Sequence, residues 1–363
     1  RSKVLTLGAY TIVSNVQGES LELKANPYYF KGKPKIEKVT VEVVNSNTIV
    51  SALKAGKYDL ALRIPTDLYK TYSSLNNLEL LGRQELYYSY MGFKVGHFDK
   101  AKGENIMDPN AKMADKNLRQ ALAYGLDVDQ MTKAFYYGLR ERATMSVPPA
   151  FKKYYSKDIK GYPYDPEKAK KLLDEAGYKD VDGDGLREDN KGNKLVFNFA
   201  FQGGNNYDQA LADTFIKSWK EVGLDVKLLD NKLMGKKEWD QRVLGDDPEI
   251  DLFLGAGHHG SDPSRQELFG RQSQFNYFRY TSDKIDEAFK EQRSDEMFDD
   301  NKLKEAYNKF DDLIADELPF FGLSWDTEIT YVNKRVKHFN VEDFTKGRLS
   351  VENLELTKEA PEK

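Results

Sequence analysis

Period-two alternation dominates the opening of the chain. Tyr10 to Val13, Leu21 to Lys24 and Ile36 to Val44 read as strands, the last with Val39, Val41 and Val43 on one side, which predicts a half-buried sheet. Asn26-Pro27 and Lys31-Gly32-Lys33-Pro34 supply the turns. The period then lengthens. Ile49, Ala52 and Leu53 share one face of a helix that Asn47 can cap and Gly56 ends; a strand follows at Tyr58 to Leu62, and Pro65 to Tyr72 reads as a short helix. This is an α+β unit.

Leu78 to Phe93 is a long apolar and aromatic run, after which Gly92, Gly96 and the polar stretch from Asp99 to Asp115 loosen the pattern and mark a domain crossing. Helical spacing returns at Leu118 to Tyr124 and at Val128 to Tyr137, the second opened by an Asp127…Gln130 capping arrangement. Asp165-Pro166-Glu167 starts another helix with proline at its first position, and Gly177 stops it. From Leu195 the elements alternate. Leu195 to Phe201, Leu224 to Leu229 and Ile250 to Leu254 read as strands around helices at Tyr207 to Val222 and Lys236 to Leu244. Such a βαβαβ order implies parallel pairing and right-handed crossovers. Ile285 to Gln292 and Leu303 to Leu318 are helical, with strands at Pro319 to Trp325 and Ile329 to Val332.

The stretch Asp251 to Pro263 stands out, because an apolar run breaks into Gly255, Gly257, His258, His259, Gly260, Asp262 and Pro263. It reads as a buried strand ending in a loop where glycine permits a sharp turn and close backbone approach. Ligands collect beyond the carboxyl ends of such strands. Phe201-Gln202-Gly203-Gly204 ends a second strand in the same way, which predicts a shared ligand rim with Gly257 and His258.

Composition narrows the function classes. At 363 residues the chain suits two or three domains, and 55 basic against 59 acidic residues, spread along its length, argue against a nucleic-acid surface. Without cysteine there is no disulfide framework, thiolate metal site or cysteine nucleophile. No apolar run is long enough to span a membrane, and the N-terminus lacks a signal-peptide pattern, so the segment reads as cut from a longer protein. His258 and His259 with Asp262 raise a metal-hydrolase reading. Adjacent histidines point apart, however, and no His-x-x-x-His or His-Glu-x-x-His spacing occurs. Asp180, Asp182 and Asp184 followed by Gly185 match the front of a calcium loop, although Lys191 stands where a bidentate glutamate belongs, so a structural calcium or a tight acidic turn both fit. No other cofactor is expected. A Gly-x-Ser-x-Gly elbow and a phosphate loop are both absent. Aromatics such as Tyr87, Tyr88, Tyr90, Phe93, Phe275, Tyr277 and Trp325 are in excess, enough for a core and for a cleft in which tyrosine hydroxyls fix backbone groups.

Several stretches, in order, resemble the extracellular solute-binding proteins of peptide-importing ABC transporters, family 5. Leu7-Gly8-Ala9-Tyr10, Gly18-Glu19 and Asn26-Pro27-Tyr28-Tyr29 are similar to that family's Gly-x-Tyr, Pro-Gly-Glu and Asn-Pro-x-Tyr run. Leu53 to Asp59 resembles Leu-x-x-Gly-x-x-Asp, Leu118 to Asp127 its Val-Arg-x-Ala-Leu stretch, and Tyr162 to Gly177 matches almost word for word. Asp182-Gly-Asp-Gly, Ser261-Asp-Pro263 and Phe275-Asn-Tyr277 are most similar to the Gram-positive lipoprotein branch.

The resemblance implies an α/β fold of periplasmic-binding-protein-like, two-lobed (type II) architecture, lacking the N-terminal portion of the first lobe. On that analogy residues 1–94 and 326–363 belong to lobe one and 95–325 to lobe two, with hinge strands near Tyr90 to Val95 and Phe320 to Trp325. It implies a monomer, not an enzyme, that captures oligopeptides and hands them to transmembrane permease subunits. The full-length protein would sit on the extracellular face of the cell membrane through a lipid anchor absent from this chain. Ligand contacts are expected at Tyr90, Phe93, Gln202, Gly203, Gly257, His258, His259, Asp262, Asn276, Tyr277 and Trp325. Many members carry an aspartate for the peptide's amine four residues before the loop proline; here that position is His259, which leaves a peptide pheromone or a non-peptide ligand as the alternative.

Overall fold

The computed structural model describes residues 6–62, 64, 66–144, 146–260, 262–341 and 351–363, and the side chains of Ser46, Asn47, Asp67 and Arg83–Glu85 are also left aside. The expectations at Pro65 and Ser261, and the cap at Asn47, fall outside this set. The chain divides into two compact units, residues 1–85 with 327–363, and residues 86–326.

In the first unit Tyr10–Val16, Ser20–Ala25 and Lys38–Glu42 form an antiparallel three-stranded sheet in sequence order. Gly18 turns the first hairpin at φ +78°, a region that glycine enters without steric cost. The valine alternation is present but its face is not half-buried: Val41 and Val43 are 51% and 75% exposed. Val39 alone of the three is half-buried, and it borders with Val41 a cavity shared with Ile49, Leu60, Ile64, Val336 and Leu354. The short helix before Tyr72 is a 3₁₀ turn, Thr66–Leu68, running into one α-turn, Tyr69–Tyr72. Arg335 grips Asp59 with two donors, at 2.5 and 2.8 Å, and fastens the final segment to the strand Leu60–Ala61.

The second unit is a three-layer α/β structure. Its sheet runs Asp225–Leu228, Val196–Ala200, Leu252–His258, then residues 86–93 of the long strand Leu78–Phe93 and residues 320–326 of Phe320–Asn333, the last edged by Glu141–Arg142. The first three pair in parallel, as the βαβαβ order requires, and Leu252–His258 pairs antiparallel with Leu78–Phe93. The two C-terminal strands expected at Pro319 to Trp325 and Ile329 to Val332 are one continuous strand. Asp326 does not interrupt it, because an ion pair to Arg140 at 3.1 Å lets the carboxylate stay within the sheet.

Period two sorts the strand residues between two cores. Met91, Phe93, Phe197, Phe199 and Leu252 face the helices Lys116–Tyr124, Pro166–Glu175 and Asp208–Glu221. There Phe215 stacks on Trp219 at 5.7 Å, and the Trp219 indole N–H donates to Leu122 O. Tyr88, Tyr90, Ala200 and Phe253 face Lys236–Val243, Asp283–Glu291 and Asp300–Glu317. Each fully buried large apolar side chain contributes about 1.5–3 kcal/mol. Asp127 and Asp165 cap their helices by accepting from Gln130 N and Lys168 N. One polar anchor crosses between the helices through bonds to backbone carbonyls. Arg119, almost wholly buried, donates to the carbonyls of Met113, Ala114, Glu317 and Leu318.

Candidate ligand-binding site

The strand Leu252–His258 carries the site, and its glycines act differently from a turn. Gly255 pairs across the sheet with Tyr90 and Gly257 with Tyr88, so the two tyrosine rings lie over backbone that has no Cβ. A Cβ on Gly257 would stand 2.7 Å from the Tyr88 hydroxyl and 2.8 Å from its Cζ; one on Gly255 would stand 2.5 Å from Tyr90 Cε2. The expected sharp turn at these positions is therefore an extended strand. What approaches closely is an aromatic ring rather than a second backbone, and Gly260 has open space around it.

The strand is paired along its whole length on one side and for only Leu252 and Phe253 on the other. His259 N donates to Leu86 O at 2.8 Å, which by the antiparallel alternation turns residues 255, 257 and 259 toward the tyrosine strand. The N–H and C=O groups of Ala256 and His258 consequently point to the open edge, and both residues are exposed. Beside this segment lies a cavity of about 530 Å³, bounded by Tyr88, Tyr90, Gly257, His258, Asp262, Arg265, Phe275 and Tyr277. Tyr277 is held in place from behind. The buried Lys94 ammonium donates to its carbonyl, to Val243 O and to Asp246, while Arg279 joins Asp246 to the loop carbonyl of Gln274. Burial outweighs Asp246 and lowers the Lys94 pKa to about 8.

Under the rim sits a polar cluster. His259 is 1% exposed, and burial, with the Arg265 charge adding to it, pushes its imidazolium pKa down to about 2. The ring is therefore neutral, and its Nδ1 faces an Arg265 N–H at 3.2 Å as acceptor. Arg265 also donates to the Tyr88 hydroxyl and stacks its guanidinium over the Tyr88 ring, 4.8 Å from the centroid. Trp325 closes the cluster, its ring 5.5 Å from Tyr88 and 5.9 Å from His259. Deeper still, Asp311 accepts from the Ser146 N–H and hydroxyl, and burial raises its carboxyl pKa to about 6.

The structure thus brings together Tyr90, Gly257, His258, Asp262 and Tyr277 around the cavity, with His259 and Trp325 behind it. Phe93 lies on the opposite face of the sheet from Tyr90, three residues along a period-two strand, and is fully buried. Asn276 is buried too, its amide donating to Tyr280 O and Gly270 O, where it shapes the loop that presents Tyr277. Gln202 and Gly203 pair their backbone with Met234, with Gly203 N donating to Met234 O at 2.9 Å, and neither bounds the cavity. Arg265 and the Ser146–Asp311 pair were not foreseen. An arginine two residues after a loop proline carries no spacing signal that separates it from a solvated one.

Of the acidic turn, Asp180, Asp182 and Glu188 bring one oxygen each within 4.8 Å of one another, and Glu188, rather than Lys191, closes the group. The Lys194 ammonium stands 2.6, 2.5 and 3.0 Å from oxygens of Asp182, Asp184 and Glu188. Gly183 and Gly185 both take positive φ, and their N–H groups donate to Asp180.

A strand edge left open beside a cavity, on a three-layer α/β unit, is the geometry of a solute receptor. The chain belongs to the bacterial extracellular solute-binding proteins, family 5, whose middle region matches residues 1–276. Its fold class is that of the type II periplasmic-binding proteins. It is 32% identical over 339 residues to the oligopeptide-binding protein OppA of Lactococcus lactis subsp. lactis, covering 92% of this chain and 56% of that one. To the oligopeptide-binding protein AppA of Bacillus subtilis it is 27% identical over 88% of its length, again spanning 56% of the relative. The structure of lactococcal OppA, complexed with an endogenous peptide in the closed conformation, superposes with a TM-score of 0.85 at 29% identity, over 96% of this chain and 65% of that one. AppA in complex with a nonapeptide gives 0.71 at 25% identity, over 97% and 66%. The chain therefore spans little more than half the length of these curated relatives. No helix among the described residues is long and apolar enough to cross a membrane.

Proposed function

We propose that this chain is part of the substrate-binding component of an ABC importer that captures oligopeptides outside the cell and delivers them to permease subunits. The observation that carries the reading is the open edge at Ala256 and His258. An extended peptide adds there as a further strand by main-chain hydrogen bonds, while its side chains enter the adjoining cavity. Because backbone pairing is indifferent to side-chain identity, selectivity falls to the tyrosines and the charged groups of the rim. The protein works as a monomer, held at the outer face of a Gram-positive cell membrane by a lipid anchor, and carries out no chemical step on its ligand. His258, His259 and Asp262 serve in binding: the imidazole of His259 is already engaged with Arg265, and Asp262 accepts from Tyr307 and Ser264.

The test is calorimetric titration of peptides of different lengths into the full-length protein and into this chain, with mass spectrometry of whatever co-purifies. Binding of peptides of several lengths is the expected result. A co-purified metal chelate or sugar, with no heat from any peptide, would overturn it.

A further inference from the structure

The cavity wall contains a cation that no carboxylate among the described residues meets in a direct ion pair. Arg265 is 6% exposed, yet among the described residues no carboxylate lies within 4.0 Å of its guanidinium. Its two terminal nitrogens face neutral partners, the Tyr88 hydroxyl and His259 Nδ1, and its Nε has no hydrogen-bond partner. Other charges around it are placed differently. Asp262 and Glu267 lie on the exposed rim, Asp262 accepting from Tyr307 and Ser264. Asp311 sits behind the cluster: its Oδ1 accepts from Ser146, its Oδ2 has no hydrogen-bond partner, and the Arg265 charge acts on it without a direct ion pair.

Withdrawing a guanidinium from water is costly unless an anion meets it inside. Neutral partners recover only part of that cost. An arginine fork is also matched in shape to a carboxylate, which accepts two parallel N–H bonds. A buried fork on a cavity wall, stacked on Tyr88 and braced by a neutral histidine, is thus preset for a carboxylate arriving with the ligand.

Resting on the peptide reading above, we propose that Arg265 makes this cavity a subsite for an anionic group of the ligand, either a peptide's terminal carboxylate or an acidic side chain. Tyr88 and His259 position the guanidinium, and Trp325 packs against both of their rings.

The experiment titrates three matched peptides into the full-length protein: one with a free C-terminus and an internal glutamate, its C-terminal amide, and its glutamine analogue. Loss of the carboxylate that Arg265 receives is expected to weaken binding about 10- to 100-fold, and which analogue suffers identifies the source. In Arg265→Met the ratio should collapse toward one, and Arg265→Lys should keep part of it. The wild-type comparison stands even if a variant folds poorly. Equal, measurable affinity for all three peptides would overturn the anion subsite and leave peptide binding intact. Failure of all three to bind would overturn both.

Discussion

Gly257→Ala isolates the geometry on which the site depends. The backbone at this position is not in the left-handed region, so alanine can adopt it, and the whole effect comes from the added methyl. That methyl would lie 2.7 Å from the Tyr88 hydroxyl and 2.8 Å from Cζ, inside any normal contact, so the ring must move. It cannot move freely, because Trp325, His259 and Tyr90 pack around it at 5.5, 5.2 and 5.6 Å. Overpacking of this kind costs about 1–3 kcal/mol. Reduced freedom of the unfolded chain returns about 0.4–1 kcal/mol. A net loss centred on about 1.3 kcal/mol and reaching at most about 2.6 kcal/mol follows, or up to roughly 10 °C in Tm at about 2–4 °C per kcal/mol. The displaced hydroxyl also leaves Arg265, so ligand affinity should fall with stability. Gly260→Ala is the internal control: nothing lies within 4 Å of its Cβ, and Tm should hold or rise slightly. Differential scanning calorimetry and peptide titration of both variants check the pair. Equal Tm and equal affinity for Gly257→Ala and the wild type would refute the argument.

Asp311 keeps its proton up to about pH 6 when folded, well above its ordinary 3.8. The unfolded chain gives the proton up first, so this group lowers stability as pH rises from about 4 to 6, with an upper bound of roughly 3 kcal/mol for about two units. Asp311→Asn keeps an acceptor for Ser146 and should flatten that decline in urea titrations; an unchanged slope would sink the assignment. In the acidic turn, Lys194→Ala removes the ammonium that three carboxylates share, and calorimetry should show tighter calcium binding than in the wild type. Equal calcium affinity would mean that the lysine does not compete for those oxygens.

Much of the second unit was legible because its residues obey one rule at a time. The strands at 196–200, 225–228 and 252–258 are short and carry apolar residues at their buried positions, and the helices between them, Asp208–Glu221 and Lys236–Val243, each end near a glycine. Asp127 and Asp165 cap as their spacing predicts. Trouble arose where one residue type serves two ends. Gly255 and Gly257 look like turn residues in sequence, but they are the small partners of cross-strand tyrosines, a pairing that depends on register with a strand over 160 positions away. Asp326 looks like a strand breaker until Arg140 is found beside it. Arg265 was invisible for the same reason: its meaning lies in the carboxylates it fails to meet, and a sequence does not record distance.

The Lys94, Asp246 and Arg279 cluster has a consequence for how the protein comes to be able to bind. Asp246 and Arg279 both hold left-handed backbone, at φ 61°, a region aspartate enters more readily than most residues but arginine seldom does unless its surroundings hold it there. Here the surroundings are each other, drawn from three segments far apart in the chain, and loop closure must come before such contacts can form. The loop carrying Tyr277 is thus fixed late. In refolding, helical signal should return before ligand binding does, and for that interval the molecule would have its layers in place without a finished site.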